Sequence, residues 1–194
     1  MFAGMLVTAA SAAFAQQIDL AVGGDTLWSP KSTTASEAFT PPPLKSGMYP
    51  EFSAQYILDN HFGLNVEGGF RYKYGLYNDF QKFRPILYDA NIVWAPPLAR
   101  KTTGNFMVGV GGETLIFYNQ FAGCAPGATN CRVYTNSNHF LLHAGAGIRY
   151  SVWRGIFIRP EAHWNYIPDN FQFHSNNVFR IGVSVGYTFG WRQK

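Results

Sequence analysis

The chain has 194 residues, 47% hydrophobic and 17% aromatic but only 13% charged, about half the roughly 25% charge of an ordinary soluble domain. Such a composition excludes disorder, because there is ample apolar area to bury. The lack of an unbroken apolar run of about 18 residues excludes a membrane-spanning helix. The formal charge of +4 is small and scattered: Arg71, Lys73, Arg149, Arg159 and Arg180 stand singly within apolar alternation. No basic stripe forms for a phosphate backbone to follow, so no nucleic-acid partner is expected.

Residues 1–15, MFAGMLVTAASAAFA, are small and apolar and end in Ala13-Phe14-Ala15, the A-x-A pattern of a secretory signal peptide. No Lys or Arg precedes Lys31, so the positive start of such a signal is missing. Either the true start lies upstream of Met1 or the signal is weak. The mature chain is expected to begin at Gln16 and to form one domain, 16–194.

From Gln16 onward aromatic and branched residues alternate with small or polar ones, the period of a strand whose faces meet different environments. Ile18 to Trp28, Met48 to Leu58, Leu64 to Tyr74 and Arg84 to Trp94 carry the pattern first. In Asn105 to Tyr118, Phe106, Val108, Val110, Ile116 and Tyr118 oppose Asn105, Gly109, Gly111 and Glu113. Next comes a Gly, Pro and Asn-rich connection holding Cys124 and Cys131, too close together and too few for a four-ligand zinc site. A local disulfide there would constrain the loop by about 2–3 kcal/mol, outside a reducing cytosol; two free thiols are the alternative. His139 to Ser151 places Phe140, Leu142, Ala144, Ala146, Ile148 and Tyr150 on one face and His139, His143, Gly145, Gly147 and Arg149 on the other. Ile156 to Tyr166 sets Ile156, Ile158 and Trp164 against Arg159, Glu161, His163 and Asn165, and Val178 to Trp191 sets Ile181, Val183 and Val185 against Arg180, Gly182 and Ser184.

These segments make about eight strands, each near the 9–11 residues of a tilted membrane strand, and an even number closes an antiparallel up-and-down barrel. Ser29 to Gly47, Asn119 to Ser137 and Ile167 to Asn177 are long connections. Asp59 to Phe62 and Val152 to Gly155 are short, and Gly75 to Phe83 and Ala95 to Thr102 are intermediate. A soluble barrel would share the period with its apolar side inward. The polar face here, however, carries glycines and charges of both signs with few lysines, which suits a narrow lumen better than a wet exterior. With eight strands the interior is just wide enough for side chains to fill. Glu67, Arg71, Asp89, Glu113, Arg149, Arg159, Glu161, His163 and Arg180 are therefore expected inside as a paired charge network that closes the bore. The apolar face would meet outer-membrane lipid, with Trp28, Tyr74, Trp94, Tyr118, Tyr150, Tyr166 and Trp191 as interfacial aromatics.

The alternating strands and the last of them, Val178-Phe179-Arg180-Ile181-Gly182-Val183-Ser184-Val185-Gly186-Tyr187-Thr188-Phe189, resemble the small bacterial outer-membrane β-barrels of the OmpA or OmpX type. Three segments are also similar to uncharacterised outer-membrane β-barrel domain proteins: Gly75-Leu76-Tyr77-Asn78-Asp79-Phe80, Arg159-Pro160-Glu161-Ala162-His163 and Asn176-Asn177-Val178-Phe179-Arg180. The resemblance implies a C-terminal strand whose aromatic end, Tyr187 and Phe189, is read by the barrel assembly machinery, although Gly190 to Lys194 follow it. It implies no activity.

Candidate chemistry is sparse. His174-Ser175-Asn176 is similar to the His-x-Ser-Asn element of lipid A deacylases. Here, however, His and Ser are adjacent and would point to opposite faces of an extended strand. His163, with His143 or Glu113 across the lumen, could relay protons or bind a metal, but two histidines without a fixed third ligand are weak evidence for one. Gly109-Val110-Gly111-Gly112 and Gly145-Ala146-Gly147 lack the Lys-Ser/Thr and helix of a phosphate loop. No catalytic, cofactor or metal residues are assigned. The expected role is structural, in envelope integrity or surface interaction through the loops, with a small pore or a lipid A-modifying enzyme as alternatives.

Overall fold

The computed structural model describes residues 17–30, 44, 47–58, 61–77, 81–118, 134–173 and 175–190. In chain order the strands are β1 (Gln17–Trp28), β2 (Met48–Ile57), β3 (Phe62–Phe70), β4 (Gly75–Tyr77), β5 (Gln81–Trp94), β6 (Pro97–Ala99), β7 (Thr102–Phe117), β8 (Ser137–Trp153), β9 (Ile156–Tyr166) and β10 (Asn177–Phe189). Every pairing is antiparallel. The sheet closes because β1 also pairs with β10, from Ile18 opposite Phe189 to Trp28 opposite Phe179, and β5 pairs directly with β7. Eight strands form the wall, and the short strands β4 and β6 pair with β5 and β7. Closure leaves no edge, so every wall strand has a partner on both sides.

Two elements depart from the expected pattern. The third strand was expected to run unbroken from Leu64 to Tyr74, but the ladder along β5 stops at Phe70 opposite Ile86 and resumes at Gly75 opposite Phe83. Two extra residues are thus accommodated in a bulge, where Arg71 turns inward and Tyr72, Lys73 and Tyr74 are exposed. The last strand ends at Phe189, where Gly190 takes a positive φ of 80°. Trp191 lies outside the described residues.

The two intermediate connections fall on opposite ends. Residues 71–80 join the long connections 29–47, 118–136 and 167–176 at the loop end, and 95–101 join 58–61 and 154–155 at the short-turn end. The tightest of the turns is Arg154-Gly155, with φ of 40° and 89°. Positive φ at both central residues gives a two-residue turn the twist that matches its flanking strands.

Outward positions along the middle of the wall are mostly apolar, as with Ile18, Leu20 and Val22 on β1, Val108 and Val110 on β7, and Ile181, Val183 and Val185 on β10, while Thr26, Lys82 and Asn138 stand outward nearer the loop end. From Ile18 to Trp28 a strand advances about 33 Å, which at a tilt of about 40° spans roughly 25 Å, the height of the apolar band on outer-membrane barrels. Aromatic rings mark both borders. Trp28, Phe179 and Trp164 lie side by side through register at the loop end, where Tyr74 also packs on Tyr118 at 4.7 Å. Trp94, Tyr150 and Trp153 are exposed at the short-turn end.

Candidate functional site

A concavity of about 890 Å³ lies on the outer wall among Leu20, Val22, Phe52, Val66 and Val185 and belongs to the apolar face. The chemistry is in the lumen, which the inward positions divide into three layers.

At the loop end the layer is apolar. Tyr77 sits at its centre, with the rings of Phe83, Phe117, Tyr134 and Phe173 5.1–6.4 Å away. Leu27, Leu115, Leu141, Ile167 and Val178 fill the space around them and are all essentially inaccessible to solvent. The Tyr77 hydroxyl donates to the carbonyl of Gln172 at 2.6 Å. Gln81 holds residue 134 from both sides, its Nε2 donating to the Tyr134 carbonyl (2.8 Å) and its Oε1 accepting from the Tyr134 N–H (3.0 Å).

The middle layer is ionic. Arg180 of β10 reaches Glu67 Oε1 at 2.8 Å, Glu51 Oε2 at 3.1 Å, Asp25 Oδ2 at 3.3 Å and Asp89 Oδ2 at 3.9 Å. Arg159 Nε lies 2.8 Å from Glu161 Oε2, and its Nη2 donates to Ser53 at 2.8 Å. The rings of His143 and His163 stack at 5.2 Å, with His143 Nε2 3.0 Å from His163 Nδ1. A guanidinium buried this deeply is tolerable only when opposite charges and hydrogen bonds surround it, and four strands supply carboxylates to Arg180. Gly109 and Gly145 make room: a Cβ on Gly109 would overlap Asn91 Oδ1, and one on Gly145 would lie 3.1 Å from His163 Nδ1.

The short-turn layer holds Arg149, 3.5 Å from Asp19, its Nη2 donating to Thr188 Oγ1 at 2.5 Å. Thr188 donates in turn to Asp19 at 2.6 Å. Below it a vestibule of about 320 Å³ opens, lined by Gln17, Gln55, Asn105 and Arg149 together with the apolar Ile57, Leu58, Ala95 and Pro97.

All nine residues expected in the lumen network are buried, yet they are not one cluster. Glu67, Asp89, Arg159, Glu161, His163 and Arg180 meet in the middle layer, and Arg149 stands in the layer below. Arg71 lies towards the loops, its guanidinium 5.7 Å from the Phe83 ring centre. Among the described residues neither carboxylate oxygen of Glu113 has a hydrogen-bond partner.

The sequence reading missed Asp19, Asp25 and Glu51 as partners, although each occupies a small or polar position in the alternation of β1 or β2. It also missed the aromatic layer, in which Tyr77, Phe83 and Phe117 of the strands meet Tyr134 and Phe173 of the connections. Tyr187 and Phe189 point outward at the short-turn end, their rings 4.9 Å apart. Ser175 is buried and donates to the carbonyl of Asn177 at 3.0 Å, a local turn contact. His174, Cys124, Cys131 and residues 1–15 lie outside the described residues.

No protein-family model and no curated protein matches the sequence. Solved structures do. OprG from Pseudomonas aeruginosa matches with a TM-score of 0.60 at 12% identity over 91% of this chain and 97% of that one. Neisserial surface protein A matches with a TM-score of 0.57 at 12% identity over 90% and 97%. Ail of Yersinia pestis, solved with the heparin analogue sucrose octasulfate, matches with 0.53 at 13% identity over 90% and 97%. At these identities the likeness is one of fold. By fold the chain is an eight-stranded antiparallel β-barrel with an apolar outward face, similar to the small barrels of bacterial outer membranes.

Proposed function

We propose that the protein is a non-conducting barrel with a structural or surface-interaction role, anchored by its apolar belt and presenting its long connections outside the cell. The observation that carries this reading is the double obstruction of the lumen. An aromatic layer fills the loop end and a hydrogen-bonded ionic layer fills the middle, so the vestibule at the short-turn end leads into packed side chains. Water or solute crossing would have to displace a dry cluster and then separate Arg180 from its carboxylates.

Short turns face the periplasm in barrels of this kind, and the longer loops face outward. Surface contact then falls to the loops, including the segment between Cys124 and Cys131, for which a disulfide remains part of the proposal. Export by residues 1–15 and recognition of Tyr187 and Phe189 by the barrel assembly machinery complete the reading. Planar-bilayer recording of the purified, folded barrel tests it: no discrete conductance is expected. Reproducible single-channel steps that depend on the presence of the barrel would replace this reading with that of a small pore.

A further inference from the structure

The sequence left two lumen histidines without a third ligand, and the fold supplies one from across the bore. His143 Nε2 and His163 Nδ1 are 3.0 Å apart, and Glu67 Oε1 of β3 stands 3.3 Å from His163 Nδ1 and 3.7 Å from His143 Nε2. Ligand atoms held roughly 2.0–2.1 Å from a tetrahedral zinc ion stand about 3.3–3.4 Å from one another. The three atoms thus form a triangle of the size that one face of such a site requires.

The surroundings prepare the donors. Asn91 Nδ2 donates to Asn65 Oδ1 (3.0 Å) and Asp89 Oδ1 (2.5 Å), so Asn91 Oδ1 is the acceptor facing His143 Nδ1 at 2.6 Å. His143 therefore carries its proton on Nδ1 and directs the Nε2 lone pair at His163 and Glu67. A hydrogen-bonded second nitrogen is the usual support of a metal-bound imidazole. His163 can move its own proton from Nδ1 to Nε2, which has no hydrogen-bond partner among the described residues and lies 3.7 Å from Glu161 Oε2. Glu67 Oε1, the oxygen of this triangle, also accepts from Arg180 Nη2 at 2.8 Å, while Oε2 is buried without a partner among the described residues, so the carboxylate can share Oε1 or turn Oε2 towards an ion.

Charge agrees. Among the described residues of this layer, the five carboxyl groups of Asp25, Glu51, Glu67, Asp89 and Glu161 accompany two guanidinium groups, Arg159 and Arg180, so a divalent cation would take a place otherwise left to protons. We propose that the lumen binds one first-row divalent metal ion through His143 Nε2, His163 Nδ1 and Glu67. Two imidazoles and a carboxylate suit zinc and its neighbours rather than calcium or magnesium, which take all-oxygen shells.

The test uses the full chain without an affinity tag, folded in detergent and freed of metal by a chelator. It is titrated with Zn²⁺ by calorimetry and with Co²⁺ by visible absorption. One ion per barrel is expected, with the intense absorption bands of tetrahedral Co²⁺. His143→Gln and His163→Gln should abolish binding, and Asn91→Ser should weaken it by about tenfold or more. His61→Ala in the β2–β3 turn and His139→Ala should leave it unchanged. Heat-dependent gel migration verifies that each variant is folded. Should neither histidine variant fold, the wild-type stoichiometry and the Asn91→Ser shift decide. No saturable binding to the folded wild type, or binding that persists in folded His163→Gln, would overturn the proposal.

Discussion

Arg180 concentrates the energetics of the lumen in one side chain. It is 1% exposed and lies within ion-pair distance of Asp25, Glu51, Glu67 and Asp89. Removing one partner of a buried network leaves the remaining charges desolvated and unpaired, which costs about 3–5 kcal/mol. Arg180→Met is therefore expected to lower unfolding stability by about that amount in urea titrations of the barrel in lipid vesicles. Arg149→Met should cost less, because Arg149 has one carboxylate partner, Asp19, and lies beside the vestibule. Equal losses from both substitutions would mean that the number of carboxylate partners does not set the penalty.

At the scale of the element, the β8–β9 hairpin is fixed by its turn. Gly155 has φ of 89°, where a side chain adds steric strain of about 1–2 kcal/mol. An added Cβ would also stand 3.0 Å from the carbonyl oxygen of Thr188, the residue whose N–H donates to Gly155 O. Gly155→Ala is expected to destabilise the barrel by about 1–3 kcal/mol, read as a shift of the urea midpoint with an unchanged slope. The outward face of an element answers to lipid. Val108, near the middle of β7, is 62% exposed, and Val108→Arg should cost about 2–4 kcal/mol in a bilayer, as a charge at midplane depth does. A near-neutral effect in lipid vesicles would contradict the assignment of that face to the hydrocarbon core.

At the scale of the whole molecule, closure and plugging are separate properties. Closure comes from β1 pairing with β10 and β5 with β7; plugging comes from the layers of inward side chains. The electrical silence expected in bilayers depends on the second. The long connections leave from the end of the barrel that holds the aromatic layer around Tyr77. Gln81 and Tyr77 tie residues 134 and 172 of two of these connections to that layer, so the loop bases rest on a dry platform.

The sequence by itself determined a count of about eight strands, the positions of the wall strands to within a few residues, and the bore-facing side of the last four of them. Alternation fixes orientation locally, since successive side chains of a strand point to opposite faces; Arg149, Arg159 and Arg180 were readable as inward on that ground alone. Which charges meet was decided only by the tertiary structure. Glu67 of β3 lies across the lumen from His143 of β8 and His163 of β9, and Asp25 and Glu51 reach Arg180 from strands far away in sequence. Such contacts depend on strand order and stagger around a closed sheet. Period two constrains neither, so the third corner of the histidine site and the aromatic seal around Tyr77 became visible only when the barrel closed.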